Sequence, residues 1–189
     1  MSGVKVIGVF GLSGVGKTRL IKAASEGLDG VLHLQASALI KEGLADASVT
    51  SEALRRSSGD QVLANQQVLL TMFERSVAAK ASKLVVFDGH LIIDTDAEII
   101  EIPLDVIAGL RPSALVHVEA PREVVVKRRR QDEKRTRPDR TPAVLGIQQE
   151  RSREVCRQHA AALGIDMQIL DDDAHGRLAA LCRALLDES

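Results

Sequence analysis

Gly11-Leu12-Ser13-Gly14-Val15-Gly16-Lys17-Thr18 is the stretch that decides the fold. It fits the pattern G-x-x-x-x-G-K-[ST] at every fixed position. Before it runs Val4-Lys5-Val6-Ile7-Gly8-Val9-Phe10, a β-branched apolar segment that reads as a buried strand. After it, Thr18 to Glu26 reads as a helix stopped by Gly27 and Gly30. A glycine-rich turn from strand to helix lets successive backbone N–H groups face an anion, and the helix N-terminus adds a favourable dipole. The expected phosphate-binding set is Gly11, Ser13, Gly14, Val15, Gly16, Lys17, Thr18 and Arg19. In it Lys17 reaches the β- and γ-phosphate oxygens of a nucleoside triphosphate, and the Thr18 hydroxyl ligates Mg2+. The bland alternative is a glycine-rich turn with a chance lysine.

Outward from the loop, short apolar runs alternate with helical patterns. Val31 to Leu34 reads as a weak second strand, and Lys83 to Asp88, Ala114 to Glu119 and Met167 to Leu170 as further strands. Ala36 to Lys80 is helical, broken near Gly43 and Ser57-Ser58-Gly59, with Asp60 a candidate N-cap. Pro121 to Arg130, Gln148 to Leu163 and His175 to Leu186 read as helices, with Pro142 and Gly146 as punctuation between the first two. Alternating strands and helices predict an α/β fold with a parallel sheet covered on both faces and a ligand crevice at the carboxyl ends of the strands.

The 189 residues suit one domain. Apolar residues make up 45%, and three Phe are the only aromatics, so the core is expected to be aliphatic. A row of stacked bases has nothing to rest on. The net charge of −1, with 25 bases against 26 acids, argues against nucleic acid as a partner. No apolar stretch approaches the roughly 20 residues of a membrane span. Cys156 and Cys182 are too few for a four-cysteine metal site, and a reducing, cytoplasmic location is the simpler reading.

Four further groups carry chemistry. Asp88 ends its strand and is expected to emerge beside the loop, supporting Mg2+ directly or through water, or else capping the next turn. His90 follows Gly89, either against the acceptor or as an ordinary turn histidine. Lys127 to Arg140 packs eight bases against three acids, a local net charge of +5. Mobile arginines there could close on a transferring phosphoryl group and exclude water. The same run could be a solvated basic helix or an RNA patch. On the acceptor side, Arg55 could hold an acceptor phosphate bidentately, and amides such as Gln66 could read a base edge.

The combination resembles the archaeal-type adenylate kinases, within the P-loop nucleoside monophosphate kinase group. It rests on Gly11–Thr18, Asp88-Gly89-His90, Pro103 with its helix up to Pro112, and Arg128-Arg129-x-x-Asp132-x-x-Arg135-x-Arg137. Gln148-Gln149-Glu150-x-x-Arg153 is similar to the helix returning from that family's lid. The resemblance implies a three-layer P-loop NTPase fold with about five parallel strands and helices on both faces. It also implies one domain over 1–189, with an acceptor-binding helical insertion at about 36–80 and a lid at about 127–147. It implies transfer of the ATP γ-phosphate to a nucleoside monophosphate with Mg2+, often in a homo-oligomer. By position, Lys17, Asp88, Arg128, Arg135 and Arg137 are the catalytic set, and Arg128 and Asp171 also belong to the ATP site, Leu170-Asp171-Asp172 approaching adenine through its backbone. On the acceptor side the chain departs: Ser51-Glu52-Ala53-Leu54-Arg55 has serine in place of an arginine, and Gln35-Ala36-Ser37 stands where the family has glycine-aspartate. Two other activities therefore stand beside this one, a P-loop ATPase acting on an RNA or protein complex and a kinase of another small metabolite.

Overall fold

The computed structural model describes residues 3–44, 50–56, 58–95, 98–132 and 137–188, with backbone alone at 51, 55 and 56. The chain begins with β1 (Lys5–Phe10), the phosphate loop, α1 (Lys17–Ser25) and β2 (Val31–Gln35). Three helices follow: α2 (Ala36–Leu44), α3 (Ser51–Arg56) and α4 (Gly59–Ala79). Then come β3 (Leu84–Asp88), β4 (Ile92–Asp94), β5 (Ile99–Glu101), α5 (Leu104–Gly109) and β6 (Ala114–Glu119). The chain closes with α6 (Arg122–Gln131), α7 (Pro142–Leu163), β7 (Asp166–Asp171) and α8 (His175–Asp187).

Five strands make one parallel sheet in the order β2-β3-β1-β6-β7. β1 and β3 are buried along nearly their whole length, which is why they read as unbroken apolar runs rather than as alternation. α1 packs with α8, which also meets β1 and β3, while α7 packs on β6 and β7. The layered α/β architecture is the one expected from the sequence. Because the chain crosses from β3 at one side of β1 to β6 at the other, the loops after β1, β2, β3 and β6 converge at one sheet edge.

The core is aliphatic: Ile7, Leu20, Ile21, Leu84, Leu115 and Leu170 are fully buried. Each such side chain contributes roughly 1.5–3 kcal/mol through burial. All three Phe lie inside, with Phe73 edge-on to Phe87 at 5.8 Å and Phe10 tilted against Phe87 at 6.1 Å. Cys156 and Cys182 are both buried and free. Burial pushes their thiols up to about 12 and about 11, so they act as inert core filling.

Three details differ from the sequence reading. The N-cap of α4 is Ser58, whose Oγ accepts from Gln61 N at 3.3 Å; Asp60 lies in the first turn. α7 starts at Pro142, not Gln148: Thr141 Oγ1 accepts from Val144 N and Pro142 takes the first helical position. Gly146 is therefore helical, and residues 142–147 of the expected lid are the opening of α7. The antiparallel pair β4–β5 was not foreseen, because strands of three residues leave no periodicity to read.

Candidate active site

The loop after β1 needs glycine for reasons beyond flexibility. Gly11 has φ 143°, and a Cβ there would sit 2.3 Å from the Val118 carbonyl oxygen on β6. Gly16 has φ 108° and caps α1, so the next N–H groups point out of the helix N-terminus. Lys17 is buried, and its Nζ donates to the carbonyls of Gly11 at 3.0 Å and Leu12 at 3.1 Å, with His90 Nε2 3.3 Å away. The ammonium thus lies across its own loop, beside the end of β3.

β3 delivers Asp88 to the same edge. Thr18 Oγ1 donates to Asp88 Oδ2 at 2.6 Å, and Gln35 Nε2 donates to Thr18 Oγ1 at 3.1 Å and to Asp88 Oδ2 at 3.4 Å. His33 Nε2 is 3.7 Å from the same carboxylate. Burial by itself raises the Asp88 pKa, but His33, the Lys17 ammonium, the Thr18 hydroxyl and His90 outweigh it and hold the carboxyl well below its usual range. Thr18 and Asp88 are an all-oxygen pair next to an anion cradle, which suits a hard cation such as Mg2+ that keeps waters and phosphate oxygens as its other ligands. Among the described residues no group of three His, Cys, Asp or Glu gathers into a separate metal site.

α6 and the segment after it bring arginines over the loop. Arg128 Nη1 donates to the Val15 carbonyl at 2.9 Å, and Arg129 Nε to the Ser13 carbonyl at 2.9 Å. Arg137 Nε donates to Ser13 Oγ at 3.0 Å and its Nη2 to Asp132 at 2.6 Å. The remaining Arg137 nitrogen, Nη1, is buried with no hydrogen-bond partner among the described residues. Arg135 lies outside the described residues. Arg19 lines the pocket that holds Lys17 and Thr18 and donates to Asp172, as Arg128 Nη2 does. Asp171, the acid expected at this site, is exposed at the end of β7, and no described side-chain hydrogen bond involves it; its neighbour Asp172 makes the contacts.

A cavity of about 180 Å3 opens beside the loop, between α2, α4, β4 and the 137–138 segment. Ile40, Val62, Ile92 and Ile102 supply apolar wall; Asn65, Gln66, Arg129 and Arg137 supply polar groups. Gln66 Nε2 already donates to Val62 O in its own helix at 2.9 Å. His90 lines both this cavity and the pocket formed by Gly16, Lys17, Thr18 and Asp88, so it stands at their junction. Arg55 lies on α3, and its side chain is outside the described ones.

Sequence reasoning gave no side-chain role to His33, Gln35, Asp94 or Asp172. Gln35 and His33 reach Asp88 because β2 pairs with β3 in a register that sets Gln35 beside Asp88. Asp94, on β4, accepts from Arg140 at 3.0 Å and lies 4.0 Å from Arg129, tying the hairpin to the arginine segment. Asp172 was indistinguishable from the acids on either side of it. Away from the loop, His117 is fully buried, between Glu119 at 3.1 Å and Ser152 at 2.9 Å. Among the described residues no helix is long and apolar enough to cross a membrane.

Known proteins locate this arrangement. No curated protein matches the chain. Among solved structures it is similar to shikimate kinase from Bacteroides thetaiotaomicron, with TM-score 0.55 and 17% identity over 98% of this chain and 99% of that one. It is also similar to an unliganded sugar kinase from Janibacter, with TM-score 0.53 and 15% identity over 98% and 95%. The tunicamycin resistance protein of Deinococcus radiodurans has TM-score 0.52 and 15% identity over 86% and 97%. At such identities the likeness shows the fold, which is that of the P-loop kinases. The AAA domain family model matches residues 10–146, from the end of β1 into α7, and the chain belongs to that family.

Proposed function

We propose that this chain is a phosphotransferase that moves the γ-phosphate of Mg-ATP to a nucleoside monophosphate, in the manner of the archaeal-type adenylate kinases it resembles. The observation that carries the reading is the cavity beside the phosphate loop, which sets two guanidinium groups and two buried amides among aliphatic side chains, with Glu52, His90 and Asp94 also in its lining. A ligand with an anionic end and a flat, hydrogen-bonding body matches that set.

In this reading the loop N–H groups and Lys17 hold the triphosphate, Lys17 exchanging its carbonyl partners for β- and γ-oxygens. Thr18 and Asp88 hold Mg2+, which supplies charge neutralisation on the phosphates when bound. Arg129 and Arg137 sit on Ser13, between the loop and the cavity, placed to bridge donor and acceptor oxygens; the unpartnered Arg137 Nη1 is a donor kept ready for one of them. An acceptor oxygen attacks the γ-phosphorus, the bond to the ADP oxygen breaks, and ADP leaves. Residues 127–147 act as the lid and 36–80 as the acceptor insertion.

A second reading, a kinase of another small metabolite, is supported by the aliphatic side chains in the lining and by there being no Phe, Tyr or Trp among the described residues of the cavity wall. ADP formation from Mg-ATP, alone and with AMP, CMP, UMP, GMP, deoxynucleotides or small hydroxylated metabolites, separates the two. A rise of about tenfold or more with one monophosphate, abolished in Lys17→Ala, is expected. A flat response to every monophosphate overturns the first reading, and a rise with a metabolite establishes the second.

A further inference from the structure

Asp172 lies in the turn between β7 and α8, with its side chain 14% exposed. Its Oδ2 accepts from Arg128 Nη2 at 2.5 Å and from Arg19 Nη2 at 3.0 Å, and its carbonyl accepts from Arg19 Nη2 at 3.2 Å. The other Arg128 amine donates to the Val15 carbonyl inside the phosphate loop. The guanidinium is therefore fixed at both ends. It rests on the loop so closely that a Cβ on Gly16 would lie 3.4 Å from Arg128 Nη1 and from Asp172 Cβ. An acid in this turn would ordinarily cap the next helix, but the N-cap of α8 is Ala174 and has no side-chain cap bond. Asp172 is spent on the two arginines instead.

The position has a direction. The γ-phosphate end of the cradle is marked by Lys17, Thr18, Asp88 and His90, and Asp172 lines neither that pocket nor the cavity beyond it. A triphosphate whose γ end lies at Lys17 must carry its nucleoside out on the other side, over Gly16 toward Arg19 and Arg128. No aromatic ring is available there, because Trp and Tyr are absent and all three Phe are in the core. The planar group at that exit is the Arg128 guanidinium, and guanidinium planes stack on aromatic faces.

We propose that Asp172 is a positioning residue for the donor nucleoside: it holds Arg128 flat at the exit of the phosphate loop, so that the guanidinium packs against the base and ribose rather than the phosphates. The inference rests on the ATP-binding part of the reading above. It is tested by the dissociation constants of ATP and of inorganic tripolyphosphate, both with Mg2+, for the wild type, Asp172→Asn and Asp172→Glu. Expected is a loss of about tenfold in ATP affinity in Asp172→Asn, the size of one stacked cation. Tripolyphosphate binding stays within about twofold, and Asp172→Glu recovers part of the ATP affinity. The tripolyphosphate result also reports an intact loop. Equal loss for both ligands, or no loss for either, overturns the proposal. Wild-type protein that binds tripolyphosphate but gains nothing from the nucleoside overturns it too and leaves the phosphate-loop reading standing. Wild-type protein that binds neither ligand overturns both readings.

Discussion

The Thr18 hydroxyl donates a 2.6 Å hydrogen bond to Asp88 Oδ2, joining the first turn of α1 to the end of β3 across the mouth of the phosphate loop. Gln35 Nε2 donates to the Thr18 oxygen, which leaves the hydroxyl proton for Asp88, and the surroundings of Asp88 keep that carboxyl ionised far below neutral pH. Asp88→Asn keeps the shape and the acceptor oxygen for Thr18 but removes the charge. Its Mg-ATP-dependent turnover is expected to fall by about 100-fold, the scale seen when a group supporting a metal is replaced. Steady-state rates over a Mg2+ titration check this. A variant with wild-type turnover at low Mg2+ would remove Asp88 from the metal site.

What could be read in the sequence was what the chain decides locally. The loop octet, the buried strands flanking it and the strand-end position of Asp88 each follow from neighbours within about ten residues. The partners of Asp88 do not. Gln35 sits beside it through the pairing of β2 with β3, and a single-residue slip of that register would turn it to the other face. The same limit explains Asp171 and Asp172, adjacent acids separated only by which of them the end of β7 turns toward Arg128. Pro142 was misread for a different reason: a proline interrupts a helix in its interior but starts one when a threonine precedes it as cap, and Thr141 does.

Gly11 and Gly27 separate two costs that a glycine can hide. Both have positive φ, 143° and 73°, but a Cβ on Gly27 meets nothing within 4 Å, whereas one on Gly11 would overlap the Val118 carbonyl. Gly27→Ala is expected to cost about 1 kcal/mol, the penalty of the left-handed region. Gly11→Ala is expected to cost about 3 kcal/mol or more, since the backbone of β1 or β6 must move. At this chain length that is a drop in Tm of about 6–12 °C against about 2–4 °C. Thermal melts of the two variants side by side decide it, and equal drops would mean that β6 yields without cost.

His117 gives stability a pH dependence in a defined window. The ring is fully buried, its Nε2 2.9 Å from Ser152 Oγ and its Nδ1 3.1 Å from Glu119, which in turn accepts from Arg153 at 2.6 and 3.0 Å. Burial disfavours the imidazolium. The Glu119 carboxylate pulls the other way, Arg153 and Lys17 add to the burial, and the pKa comes down to about 4 from 6.5. Between those values the unfolded chain takes up a proton that the folded chain refuses, so folding stability is complete above pH 6.5 and declines as the pH falls toward 4. The loss is on the order of 3 kcal/mol at its largest. His159 on α7 is shifted down by burial as well and titrates in the same sense, so the effect of His117 is a share of the slope rather than all of it. Urea midpoints at pH 7, 6 and 5 are expected to fall steadily in the wild type, with an unchanged m-value, and to fall less in His117→Asn. The carboxylates that join in below pH 5 leave the interval from 7 to 5 as the place to read it. A slope there identical in the two proteins would mean that the imidazole titrates in the fold as it does in the unfolded chain, and a steeper fall in His117→Asn would mean that it is held protonated, as an ion pair with Glu119.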